Sequence, residues 1–256
     1  MTSSASGSPP SPAPAWVLAL DASTPRTALA LGRVDKDKRR AELITSFEAA
    51  DGANQASHWL VDRIHTMVAD AGISLSDLAG IACGCGPGTF TGTRVAIAST
   101  QGLAFGLGCA CYPLSTLAAL AGAGEPGETV LALLDARRSE VYAGLYDLED
   151  SDDGVTLLKA RAADQCCPLE QVLKEHERQP RVIGPGVIPY REQLRSDALP
   201  LPGVSSLGLW RAALTAVLEQ PSVHPRALEA NYLRRSYAEL GDNRPKRPMI
   251  RSPFVD

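Results

Sequence analysis

Apolar residues come along this chain in short runs parted by turn residues, and the period of the runs changes in a fixed order. Residues 16–22 (W-V-L-A-L-D-A) are almost continuously apolar and predict a buried strand. Pro25 marks a turn, 27–34 reads as a second strand, 33–40 as a charged hairpin tip and 42–49 as a third strand. Over 56–71 the spacing lengthens. Leu60, Ile64, Met67, Val68 and Ala71 fall on one helical face, and Gly72 ends it. Residues 78–83 predict a fourth strand, 91–105 a helix, 109–113 a fifth strand, and 116–121 a short helix capped by Ser115.

The order then repeats. Residues 129–135, 141–148 and 155–162 read as strands, 168–177 as a helix opening on proline, 181–184 as a strand, and 205–219 as a helix capped by Ser205 or Ser206. Three antiparallel strands, then helix, strand, helix, twice over, predict an α/β fold with mixed sheets flanked by helices. Little residue identity links the halves. The expected division is a disordered leader over 1–15, a first lobe over 16–121 and a smaller second lobe over 128–204. A closing helix and returning segment follow over 205–235, then an extended tail over 236–256.

Composition narrows the picture. Aromatics make up only 5% of the 256 residues, so the core must be built from Ala, Val, Leu and Ile. A net charge of -4 argues against a protein held to nucleic acid by a general basic field. No apolar run is long enough for a membrane span, and the Ser/Pro/Ala-rich start lacks a secretion signal, so a cytoplasmic protein is expected. Cys83 and Cys85, and Cys109 and Cys111, form two C-x-C pairs, while Cys166 and Cys167 are adjacent. Neighbouring strands could gather four thiols around a zinc. Structural zinc favours C-x-x-C turns instead, and reduced thiols in a core are the expectation, with no metal.

The densest chemistry lies in G-C-G-P-G-T-F-T-G-T-R, residues 84–94, between a strand and a helix. Gly84, Gly86, Gly88 and Gly92 allow close approach, Pro87 stiffens the loop, and Thr89, Phe90 and Thr91 open the helix with Arg94 one turn in. No Lys follows the last Gly as in a Walker loop, and the G-x-G-x-x-G spacing is missed. Two readings stand: a loop that receives an anion, or a turn whose glycines serve packing.

The same loop, as G-P-G-T-F-T-G-T-R at 86–94, joins L-A-L-D-A-S-T at 18–24, Q-G-L-A at 101–104, L-S-T-L at 114–117, L-D-A-R-R-S-E-V-Y at 134–142 and N-Y-L-R at 231–234. Together these resemble the TsaB family, also called YeaZ, over nearly all of 16–235. The family usually carries Ser where Thr89 stands, which keeps the hydroxyl. The resemblance implies two ribonuclease-H-like lobes, duplicated βββαβα units of the actin-like ATPase superfamily. It further implies a non-catalytic subunit of the complex that places threonylcarbamoyl on N6 of the adenosine next to the anticodon. Its partners would be a TsaD-type catalytic paralogue, a TsaE-type ATPase and, through the complex, tRNA. Alone it would form a homodimer.

The residues agree with that division of labour. His58 and His65, seven apart, stand about 10 Å from each other along a helix, too far to share one metal. His176 and His224 suggest no site. The superfamily's D-x-G-[ST] phosphate turn is D-A-S-T-P here, so Asp21, Ser23 and Thr24 read as a vestigial nucleotide site, with Asp21 bonding turn amides. ATP or ADP is expected only at the joint with the partners. A helix small on every side, beside a first helix with Trp59 off its apolar stripe, predicts docking through both helices. His58, Trp59, Asp62, Ile97, Thr100, Gln101 and Ala104 are the expected contacts. Asp135, Arg137, Arg138 and Glu140 read as a solvated hairpin tip, and Arg234, Arg235, Arg244, Lys246 and Arg247 as an auxiliary contact to tRNA or a partner. The rival is an independent peptidase or kinase-like ATPase.

Overall fold

Alternation along the first strand sets the architecture. In the computed structural model, which describes residues 14–50, 53–151, 154–175 and 180–234, β1 spans Ala15–Asp21. Its even-numbered Leu18 and Leu20 point to one side of a sheet and its odd-numbered Val17 and Ala19 to the other, each set joining a separate core. β2 (Thr27–Asp35) and β3 (Arg40–Ala49) extend the sheet on one edge, β4 (Leu78–Gly84) and β5 (Ala110–Leu114) on the other, in the order β3-β2-β1-β4-β5. The first three strands are antiparallel; β4 and β5 run parallel to β1.

On the leucine face lie α1 (Ala53–Asp70), through Leu60, Ile64 and Met67, and α2 (Phe90–Leu107), through Ala96, Ile97 and Ala104. The opposite face carries Ala19, Ala28, Ala30 and Ala82. Small residues there leave room for α3 (Thr116–Ala121) and α5 (Ser206–Glu219), which pack between this sheet and a second one. Where α3 meets α5, a Cβ on Gly122 or Gly208 would overlap the other helix's backbone, so glycine permits the close crossing.

The second sheet has the order β10-β6-β7-β8, from β6 (Thr129–Arg137), β7 (Glu140–Asp150), β8 (Thr156–Ala160) and β10 (Arg181–Ile183). Val130, Ala132 and Leu134 face α3 and α5, while Leu131 and Leu133 face α4 (Leu169–Glu175) with Val172. The layers are therefore helices, sheet, helices, sheet, helix, with both copies of the expected unit present. β5 has no counterpart in the second unit. A strand absent from the sequence reading, β9 (Gln165–Pro168), pairs with Glu140–Ala143 of β7, beyond the reach of β8, which stops at Ala160. Of the leader expected over 1–15, Ala15 instead begins β1; residues 1–13, His176, Arg235 and the tail expected over 236–256 lie outside the described residues.

Candidate functional site

Asp21 ends β1 and is fully buried. Its carboxylate accepts from the Ser23 amide, the Ser23 hydroxyl and the Thr116 hydroxyl, each at 2.8 Å. Burial pushes its pKa up and these bonds only partly offset that. Thr24, also buried, donates to the Arg26 carbonyl at 2.7 Å and accepts from the Val204 amide at 3.1 Å.

The glycine loop packs onto this turn. A Cβ at Gly84 would overlap the Asp21 carboxylate, one at Gly88 the Ser23 carbonyl, and one at Gly92 the Ala22 carbonyl. The Thr89 amide donates to the Ser23 carbonyl at 2.7 Å, and the Thr89 side chain caps α2 by accepting from Gly92. What the loop receives is thus the chain's own first turn. Packing is the role these contacts show for Gly84, Gly88 and Gly92, while Ser23 and Thr24 also line a cleft toward the second unit. The remaining loop residues divide by burial: Gly86, with φ +96°, and Pro87 are buried after a cis Gly86–Pro87 bond, while Phe90, Thr91 and Arg94 are exposed.

The second unit repeats the first turn. Asp135, two residues before the end of β6, lies within L-A-L-L-D-A, as Asp21 lies within L-A-L-D-A at the end of β1, and accepts from the Arg137 amide at 2.8 Å, as Asp21 does from Ser23. This residue-level echo escapes a sequence reading because an inserted leucine breaks the alignment. Between the two turns lies a 430 Å³ cleft, lined by Ser23–Pro25, Gly88 and Thr89 on one side and by Leu134–Arg137 and Tyr142 on the other. Arg137, Arg138 and Ser139 have φ of 66°, 57° and 61° at the β6–β7 hairpin tip, a left-handed run in residues that avoid that region.

The expected docking residues separate into two groups. His58 and Asp62 are exposed on α1, with Trp59 half-buried edge-on to Phe47 at 5.4 Å. Ile97, Thr100 and Ala104 turn inward and are buried under the first sheet, so they cannot meet a partner. Gln101 is engaged too, donating to the carbonyls of Pro225 and Leu228 at 3.0 and 3.2 Å. The outward face of α2 is Thr91, Arg94, Ala98, Gly102, Phe105 and Gly106, with open space around Gly102 and Gly106. Val61 and His65 continue it on α1.

Residues 223–234, within the returning segment expected over 205–235, form a strap along the first unit. Val223 bridges Cys111, His224 packs edge-on to Phe105 at 5.6 Å, and the Asn231 amide donates to the Cys85 carbonyl at 2.7 Å. Arg234 then crosses to the second unit, donating to the Ala136 and Arg137 carbonyls and pairing with Glu140. Glu140 and Arg234 are thus bound to each other rather than solvated singly. All six cysteines are free thiols; burial raises Cys83 strongly and pushes Cys111 up to about 11. Among the described residues no three His, Cys, Asp or Glu side chains converge to hold a metal, and no helix is long and apolar enough to cross a membrane.

Comparison with known proteins agrees with this geometry. The family model TsaD, "tRNA N6-adenosine threonylcarbamoyltransferase", matches residues 51–184. The Haemophilus influenzae tRNA threonylcarbamoyladenosine biosynthesis protein TsaB is 30% identical over 186 residues, 68% of this chain and 78% of that protein. Two solved structures from Pseudomonas aeruginosa match 86% of this chain and all of their own. One, of a protein with similarity to the peptidase YeaZ, has 30% identity and a TM-score of 0.72. The other, of YeaZ, has 29% identity and a TM-score of 0.69. With the relatives, the duplicated fold and the glycine loop in agreement, this chain belongs to the TsaB (YeaZ) family of tRNA threonylcarbamoyladenosine biosynthesis proteins.

Proposed function

We propose that the chain is a non-catalytic docking subunit. It presents the outward face of α1 and α2 to a TsaD-type catalytic paralogue, which transfers threonylcarbamoyl to N6 of the adenosine beside the anticodon. The observation that carries this reading is the pairing of a glycine loop packed onto the chain's own first turn with an unfilled helix face. Asp21 and the glycine loop are spent on internal packing, while Gly102 and Gly106 stand in open space beside Ala98 and Phe105. A helix face of small residues lets a second helix approach closely, and an interface of about 1,500 Å² is the size such a complex needs.

In this reading a TsaE-type ATPase joins the pair, and tRNA reaches the chain through the assembly. ATP or ADP belongs at the joint with the partners. In the paralogue's absence the same face pairs two copies of this chain.

Co-purification with the organism's TsaD-type protein tests the reading. The unaltered chain is expected to co-elute, and Gly102→Trp to abolish both co-elution and N6-threonylcarbamoyladenosine in tRNA hydrolysates. Retention of both by the variant overturns it. The independent-enzyme rival requires ATP or peptide hydrolysis by the purified chain alone.

A further inference from the structure

Two aromatic rings stand out of the surface where α2 begins, 59% exposed at Phe90 and 56% at Tyr232. Their presentation is fixed rather than incidental. Phe90 is the first residue of α2, held there by the Thr89 cap and the packed glycine loop. Tyr232 is brought beside it by the strap, whose backbone is tied at Asn231 to Cys85. The rings stack with centroids 6.3 Å apart and planes 26° from parallel. Arg94, one turn along the helix, lays its guanidinium 3.8 Å from the Phe90 centroid and donates from Nε to the Tyr232 hydroxyl at 3.3 Å.

Cations gather around this pair. Arg234, two residues beyond Tyr232, grips the hairpin carbonyls of Ala136 and Arg137, and Arg137, its side chain 87% exposed, lines the cleft across from Thr89, the neighbour of Phe90. The acids within this group are Glu140, paired with Arg234, and Asp135, 4.0 Å from the Arg137 guanidinium. In a chain of net charge -4 this is a local reversal of sign. Flat rings, a guanidinium plane and an exposed arginine near them are the elements with which proteins hold unpaired nucleotides, the bases stacking and the phosphates meeting cations. A protein partner would call for an apolar patch continuing around the rings. Their immediate neighbours are instead the exposed polar residues Thr89, Thr91 and Asn231.

We propose that Phe90, Arg94 and Tyr232 form a stacking platform for one or two unpaired bases of an RNA loop, with Arg137 on the flanking phosphate. The choice of RNA as ligand rests on the proposed role in a tRNA-modifying assembly; the platform shares Arg94 with the outward face of α2 but sits at its N-terminal end, about 12 Å along the helix from Gly102.

The test is fluorescence anisotropy of the full-length chain with a labelled RNA hairpin carrying an unpaired loop, and with a fully paired RNA duplex of equal length. The hairpin is expected to bind more tightly. Phe90→Ala and Tyr232→Ala should each weaken hairpin binding about tenfold and leave duplex binding unchanged, while Tyr232→Phe, which keeps the ring but loses the bond from Arg94, should weaken it less than Tyr232→Ala. Phe90→Leu repeats the loss in a variant that keeps the apolar volume, so a folding defect cannot mimic it. Equal affinity for hairpin and duplex, or unchanged affinity in the alanine variants, overturns the proposal. So does loss of TsaD-type co-elution in those variants with RNA binding intact, which would make the platform a protein contact. Gly102→Trp should keep its RNA affinity. If that variant still docks its partner while the platform variants lose RNA, the docking reading fails and the platform stands.

Discussion

The carboxylate of Asp21 occupies the space that a side chain on Gly84 would need. The two residues sit on adjacent parallel strands, β1 and β4, and the absence of a Cβ at one lets the acid at the other bend under the glycine loop to reach Ser23 and Thr116. Gly84→Ala should therefore destabilise the fold by about 3 kcal/mol, at the upper end of ordinary overpacking, because the obstacle is a bonded carboxylate and not a pliant chain end. Urea denaturation checks this. Gly102→Ala, in the following helix α2 and in open space, is the internal control and should be neutral or stabilising.

A carboxylate held in the core also makes stability depend on pH. Burial raises the pKa of Asp21 in the folded state above its usual 3.8. In the window that opens above that value the folded chain binds more protons than the unfolded chain, so this group's contribution falls as pH rises. Asp21→Asn keeps the shape and can still bond Ser23 and Thr116, but it cannot ionise. The expected result is a stability difference, parent minus variant, that declines as pH rises from about 4, read by thermal melts across pH. A difference curve flat in pH would show that the acid stays ionised in the fold at no cost.

Most of the architecture is legible from residue order because β1, β2 and β6 carry their burial in plain alternation or in continuous apolar runs. Three features are not. β9 is four residues, Q-C-C-P, too short for any period to show and closed by a proline. The inward face of α2 is invisible because Ala96, Ala98, Gly102 and Ala104 differ too little in hydrophobicity to say which side meets the sheet. Only the position of Phe105, off the buried face and half exposed, carries a trace of the answer. The strap over 223–234 has no regular structure beyond one 3-10 turn, and its placement follows from single bonds, such as Gln101 to Pro225 and Leu228, that no pattern announces.

Arg234 is the strap's terminal fastening, since its guanidinium satisfies two hairpin carbonyls and the Glu140 carboxylate together. Hydrogen bonds to a charged group contribute about 1.5–3 kcal/mol where water is partly excluded. Its side chain is about a quarter exposed, so Arg234→Ala should cost about 1–2 kcal/mol after solvent screening. The more diagnostic measurement is hydrogen exchange. The Asn231 amide, bonded to Cys85 one step back along the strap, should lose protection in the variant, while Leu18 and Leu20 in the central strand should not.

Two tryptophan substitutions two residues apart on α2 separate the inward face from the outward one. Thr100 is fully buried beneath the first sheet, and Thr100→Trp must displace packed neighbours at a cost of more than about 3 kcal/mol. Gly102 meets nothing within 4 Å of an added Cβ, and replacing a helix-interior glycine recovers up to about 1 kcal/mol of backbone propensity. Gly102→Trp should therefore melt at or above the parent temperature while carrying a bulky ring across the face assigned to docking. Calorimetry of the two variants reads the difference directly. A stable Gly102→Trp protein that no longer co-elutes with a TsaD-type partner would separate the loss of docking from any loss of fold. Thr100→Trp cannot do this, because it removes the fold and the surface together.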